Sequence, residues 1–214
     1  MKIYTFGDSW GAGWGLKDHE KNFTKYLETY LSCSSENYSQ SGSSLGQITH
    51  DFINKHHKFV PGDLVTVIVP PDVRWYTERN KKIYSLYHYN KEHKQFLKGK
   101  TDYWFVYHHA LFIHSIYTIC LEKKVNVIFA HNYGKLIIHP AFQSLIPKEI
   151  FLDYKRSLTD LLGSADWFEN YNLEHDGPPH HLVGENFIPD DTHPNEKGHE
   201  IIANLLYNKF NEKL

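Results

Sequence analysis

Short apolar runs alternate along the chain with longer stretches whose apolar positions recur every three or four residues, so strands and helices are expected in turn. Residues 3–6, Ile-Tyr-Thr-Phe, read as a first strand, followed by a glycine-rich turn and a helix over about 22–32. A second short strand is predicted near 36–39, then a helix over about 45–58 with Leu45, Ile48, Phe52 and Ile53 on one face. Pro61-Gly62-Asp63 marks a turn. The next run, Leu64-Val65-Thr66-Val67-Ile68-Val69, is almost unbroken in apolar and β-branched residues, the pattern of a strand covered on both faces. From Arg74 to about Tyr107 aromatic and charged residues mix with weak periodicity, which reads as an excursion over the sheet edge. Leu111, Ile113, Ile116, Tyr117, Cys120 and Leu121 then define a helix, and 125–130 a further buried strand. A helix over about 148–162 and a loop at 176–181 follow. Pro194 suits the first turn of a last helix striped by Ile201, Ile202, Leu205, Leu206 and Phe210. This order predicts an α/β fold over residues 1–214, a mostly parallel sheet between helices, with ligands at the carboxyl ends of its strands.

Composition narrows the classes. With 214 residues, 23 Lys+Arg against 25 Asp+Glu and 41% hydrophobic residues, the chain suits one globular domain. The near-neutral balance and the lack of basic tracts argue against a nucleic-acid partner, which clustered cations would have to hold. No apolar stretch approaches the roughly 20 residues a membrane helix needs. Met1-Lys2 runs straight into the first strand with no room for a signal sequence, so a cytoplasmic protein with no membrane partner is expected. Cys33 and Cys120 are too few for a disulfide framework and are read as free, buried thiols. The doublets His56-His57, His108-His109 and His180-His181 point in divergent directions and chelate poorly, so neither metal nor cofactor is expected.

Two strand-end blocks carry the chemistry. Gly7-Asp8-Ser9-Trp10-Gly11 follows the first strand, and Asp190-Asp191-Thr192-His193-Pro194-Asn195 opens the last helix. A serine hydroxyl needs a base at neutral pH, and an imidazole can take its proton and return it to the leaving group. A carboxylate three residues before that histidine can turn back to its second nitrogen. Ser9, His193 and Asp190 are therefore the candidate nucleophile, base and orienter. Asp191, only two residues from His193, would usually point away, though spacing alone does not exclude it.

The pair of blocks, with Gly11 four residues after Gly7 and with Asn195 and Gly198-His199 after the histidine, resembles the SGNH hydrolases, or GDSL esterase and lipase family. That resemblance spans essentially the whole chain and implies a three-layer α/β/α sandwich with a flavodoxin-like central sheet. It implies an oxyanion hole made by the backbone N–H of Ser9, that of Gly42 and an asparagine side chain after the third strand. At the third place this chain has Val69-Pro70-Pro71-Asp72, so Pro71 supplies neither an amide side chain nor an N–H. Arg74 is the nearest substitute donor, with Asn132 and His131 next. Trp10, Asp72, Trp75, Tyr76 and Asn132 are the candidate substrate contacts. The function expected is serine hydrolysis of a short acyl ester, such as acetyl, on a polar or carbohydrate-like small molecule or glycan. The alternative is a catalytically weak or inactive binding module that keeps the fold, because of Pro71.

Overall fold

The computed structural model describes residues 1–71, 74–79, 82–87, 100–133, 136–163, 184–189, 191 and 193–212. The elements run β1 (Lys2–Phe6), α1 (Ser9–Ala12), α2 (Phe23–Leu31), β2 (Ser34–Asn37), α3 (Leu45–Lys55), β3 (Leu64–Val69), β4 (Arg74–Arg79), β5 (Lys82–Tyr87), α4 (Asp102–Lys123), β6 (Asn126–His131), α5 (Leu158–Leu161) and α6 (Glu196–Asn211). Four strands form an all-parallel sheet in the order β2-β1-β3-β6. Beyond β6, a single parallel bridge between Phe129 and Phe151 occupies the next strand position.

Strand alternation sorts the core onto the two faces. Tyr4, Phe6, Val65, Val67, Val127 and Phe129 face α3 and α4, meeting Leu45, Ile48, Phe52, Ile113 and Ile116. Ile3, Leu64, Ile68, Ile128 and Ala130 face α2, α5 and α6, meeting Phe23, Leu27, Leu158, Ile202 and Leu206. All six residues of β3 are buried, as its unbroken pattern requires. Each such large aliphatic or aromatic side chain contributes about 1.5–3 kcal/mol by leaving water. The result is the three-layer, flavodoxin-like α/β/α arrangement.

Side chains set the helix ends. Asn22 caps α2 by accepting from the Lys25 N–H, and Ser32, in the left-handed region at φ 48°, closes it. Ser44 caps α3 by accepting from the Gln47 N–H. Ile53 is 46% exposed rather than on the buried face, because it sits about 140° around the helix from Ile48. The 3-10 turn His56–Lys58 ends that segment. Pro194 lies before the last helix, bridged to Phe187, and Asn195 is the cap, accepting from the Gly198 N–H at 3.0 Å.

Two stretches depart from expectation. Within the excursion, β4 and β5 form a separate antiparallel pair, Arg74 opposite Tyr87 and Arg79 opposite Lys82, lying along α3. Tyr103, Trp104 and Tyr107 belong to α4, which starts well before Leu111, capped by Thr101. The helix expected over 148–162 is broken. Phe151 leaves to pair with Phe129, and the Asp153 carboxylate takes the backbone N–H groups of Lys155 and Arg156 at 2.8 and 3.0 Å. What remains is a 3-10 turn at Lys148–Ile150 and α5, opened by a reciprocal Ser157–Asp160 capping box. The loop expected at 176–181 lies outside the described residues.

The chain leaves β1 toward β2 on one side and returns through β3 on the other. That reversal opens a crevice at the carboxyl ends of β1 and β3, and Gly7-Asp8-Ser9 sits in it.

Candidate active site

Asp8 turns β1 into α1: its Oδ1 accepts from the Trp10 N–H at 3.1 Å, so the helix begins at Ser9. Gly13, at φ 76°, ends it after one turn, its N–H directed to the carbonyls of Ser9 and Trp10. The glycines of the block answer to close packing. A Cβ on Gly7 would lie 2.8 Å from the Ile68 Cβ, and one on Gly11 would strike the Ser39 hydroxyl. Ser9 is thus held at a buried turn pressed between β3 and the loop after β2.

That loop is clipped alongside β1 by two bonds, Tyr38 N–H to Thr5 O at 2.8 Å and Gln40 N–H to Gly7 O at 3.0 Å. It carries Gly42 in the left-handed region at φ 80°, a conformation that favours glycine. Opposite, at the end of β6, Asn132 is fully buried, and its amide donates to the second oxygen of Asp8 at 2.9 Å. The Asn132 carbonyl accepts from both the N–H and the hydroxyl of Thr159 in α5, at 3.2 and 2.5 Å.

The histidine arrives on a tight loop. Ile188 N–H donates to His193 O at 2.9 Å, Asp191 N–H to Ile188 O at 3.1 Å, and Asn195 N–H to Asn186 O at 3.0 Å. Inside it, His193 Nδ1 donates to Asp191 Oδ1 at 2.5 Å. Asp191 therefore does not point away, as its spacing suggested: the turn from Ile188 folds its carboxylate across the ring. Asp190 lies outside the described residues.

Packing brings this loop to α1. The Trp10 indole donates to the Tyr133 hydroxyl at 2.8 Å and meets the rings of Tyr133 and Phe187 edge-on, with centroids 5.1 and 6.1 Å away. A Cβ on Gly15, at φ 83°, would lie 2.6 Å from Ile188 Cδ1 and 3.7 Å from Asp191 Oδ2. The Asp191–His193 loop therefore lies over the turn that ends α1.

Several expected contacts move. Trp10, only 1% exposed, is a packing residue rather than a substrate surface. Asn132 is fully buried, its amide engaged by Asp8 rather than presented to a substrate. Arg74, Trp75 and Tyr76 have their backbone in β4, with side chains outside the described residues, where Asp72 also falls. His131 is buried at the end of β6. Pro71 follows β3 as read. Sequence reasoning missed Trp14, which is 56% exposed and whose N–H donates to Ser9 O at 3.0 Å. Its signal was its place between Gly13 and Gly15. Gly198 and His199 are structural. A Cβ on Gly198 would collide with the Asn186 carbonyl. His199 Nδ1 accepts from the Phe23 N–H at 3.3 Å, and burial pushes its pKa down to about 3, with His193 adding to the effect. Cys120 is buried, its thiol pushed up to about 12 by desolvation, while Cys33 is half-buried; both are free. Among the described residues no three His, Cys, Asp or Glu side chains gather as a metal would need, and no helix is long and apolar enough to cross a membrane.

The sheet order β2-β1-β3-β6 between two helical layers is a fold shared with solved G-D-S-L family structures. A G-D-S-L family lipolytic protein from Desulfitobacterium hafniense matches with a TM-score of 0.58 at 13% identity, over 97% of this chain and 98% of its own. The psychrotrophic esterase EstA from Pseudoalteromonas sp. matches at 0.51 and 14% identity, over 99% and 97%. An acetyl xylan esterase matches at 0.50 and 14% identity, over 97% and 98%. No family model matches the chain, and no curated protein does.

Proposed function

We propose that the chain is a serine ester hydrolase that removes a short acyl group, such as acetyl, from a hydroxyl of a polar or carbohydrate-like substrate. The observation that carries this reading is the His193–Asp191 hydrogen bond on a loop packed against the Ser9 turn. With Nδ1–H given to the carboxylate, Nε2 keeps its lone pair and acts as base. Ser9 Oγ attacks the ester carbonyl while Nε2 takes its proton. The tetrahedral oxyanion is held by the Ser9 and Gly42 N–H groups, and the leaving alcohol receives the proton from His193. Water then enters by the same route and releases the acid. Short acyl groups on polar acceptors are favoured by the fold shared with an acetyl xylan esterase and by the exposed Trp14, whose backbone is tied to Ser9 and whose indole is a flat surface suited to a sugar face.

A second reading, a binding module with the same fold and little chemistry, is favoured by Pro71, since one missing oxyanion donor costs roughly 10² to 10³ in rate. Arg74 is the substitute donor to test, because its guanidinium is permanently charged and forked. A fluorophosphonate probe tells the two readings apart. Covalent labelling of the wild-type chain that vanishes in Ser9→Ala supports hydrolysis; equal labelling of both, or of neither, overturns it.

A further inference from the structure

We infer that Asn132 is a positioning residue for the Ser9 nucleophile, acting through Asp8; the inference rests on the serine hydrolase reading. Asp8 is fully buried, and a carboxylate out of water is tolerated only where its oxygens are hydrogen-bonded. One oxygen caps the single turn that carries Ser9, and the other takes the Asn132 amide at 2.9 Å. The direction of the Asp8 side chain, and with it the start of α1, therefore depends on where Asn132 holds its N–H.

Asn132 is itself immobilised. Its N–H donates to Val69 O at 3.2 Å, extending the β3–β6 pairing by one residue, and its carbonyl takes two bonds from Thr159. Its side-chain oxygen is buried with no hydrogen-bond partner among the described residues. An unpaired buried carbonyl is unfavourable, and turning the amide over would only set that oxygen against the Asp8 carboxylate. The chain keeps the unpaired oxygen in order to aim the N–H at Asp8. A residue kept only for packing would be satisfied by an apolar side chain of the same shape. The rigid sheet thus reaches the nucleophile through one amide and one carboxylate, and Asn132 meets neither substrate nor the reacting atoms.

The test compares wild type, Ser9→Ala, Asn132→Ala and Asn132→Asp in the full chain. Melting temperature, fluorophosphonate labelling rate, and kcat and KM for p-nitrophenyl acetate are measured. Asn132→Ala is expected to fold and to lose kcat by about 10- to 100-fold at nearly unchanged KM, the cost of a misplaced reacting group. Asn132→Asp keeps the shape but sets two carboxylates in contact, which hold one proton between them. While that proton stays, the hydrogen bond to Asp8 survives. As it leaves on raising the pH, kcat should fall along an alkaline limb that wild type lacks. Unchanged kcat in Asn132→Ala, or a wild-type pH profile at full kcat in Asn132→Asp, overturns the inference. If Asn132→Ala does not fold, the Asn132→Asp profile decides alone. If wild type labels no better than Ser9→Ala, the hydrolase reading itself fails, an outcome distinct from normal wild-type labelling with insensitive variants.

Discussion

An imidazole presents one nitrogen to a substrate only when something else holds the other, so the residue that holds Nδ1 decides what a histidine can do. Here that residue is Asp191. The motif Asp190-Asp191-Thr192-His193 offers two carboxylates, and spacing alone favoured the first. What spacing cannot register is the Asp191 N–H to Ile188 O turn that bends the chain so that the nearer carboxylate crosses the ring. Asp191→Asn should lower kcat for p-nitrophenyl acetate by about 10² to 10⁴ at similar KM, through the wrong tautomer. Asp190→Asn should do much less; the opposite ranking would return the role to Asp190. Ser9→Ala and His193→Ala should each remove nearly all turnover, and the double variant should be no worse than either, because nucleophile and base act as a unit. The places of the serine and the histidine in the fold were legible because each stood in a block of unusual composition, one directly after β1 and the other opening α6. Which indole is exposed was not, since Trp10 and Trp14 look alike until packing buries the first and exposes the second.

Elements were legible where one periodicity dominated. The strand β3, the helix α3 and the helix α6 each bury a single continuous pattern, whereas β4 and β5, which among the described residues pair with each other alone, carry aromatic and charged residues without a clean alternation. Between 148 and 162 the spacing of Ile150, Leu152, Leu158 and Leu161 mimics a helix, yet a sheet contact and an aspartate turn interrupt it. The short helix that survives ties the two halves of the site together. Thr159 bonds the Asn132 carbonyl behind Asp8, and the Leu162 carbonyl accepts from the Asn186 amide at 2.9 Å, at the root of the His193 loop. Its cap is therefore a sensitive point. Ser157→Ala removes a fully buried hydroxyl that accepts from the Asp160 N–H and donates to the Asp160 carboxylate at 2.8 Å. Urea denaturation should show a loss of about 1–2 kcal/mol, the usual worth of a helix cap. A loss under about 0.5 kcal/mol would mean that α5 is held by packing alone.

At the scale of the whole molecule, both faces of the sheet bury a neutral histidine. His109 on α4 and His199 on α6 each have a pKa pushed down to about 3, with burial as the main cause. In the unfolded chain each titrates near 6.5, so below that pH the unfolded state binds more protons and stability must fall as the solution is acidified. Each histidine contributes a slope of about 1.4 kcal/mol per pH unit once its unfolded form is protonated. Glu36 works in a lower window. Hydrogen bonds from Lys2, Tyr38 and Lys58 hold its pKa down at about 2, so the stability it adds is lost only as pH falls below about 4.5. Between about pH 4.5 and 6.5 the histidines therefore titrate without it. His109 is the cleaner test, because its buried Nε2 has no hydrogen-bond partner among the described residues, so an apolar replacement strands no partner of that nitrogen. Urea midpoints of wild type and His109→Leu, read from pH 7.5 down to 5, should diverge, the variant losing stability less steeply by about 1.4 kcal/mol per pH unit. Comparing the two chains cancels every other titrating group. Parallel curves would mean that His109 binds its proton as readily folded as unfolded, and that the acid sensitivity of the fold lies elsewhere.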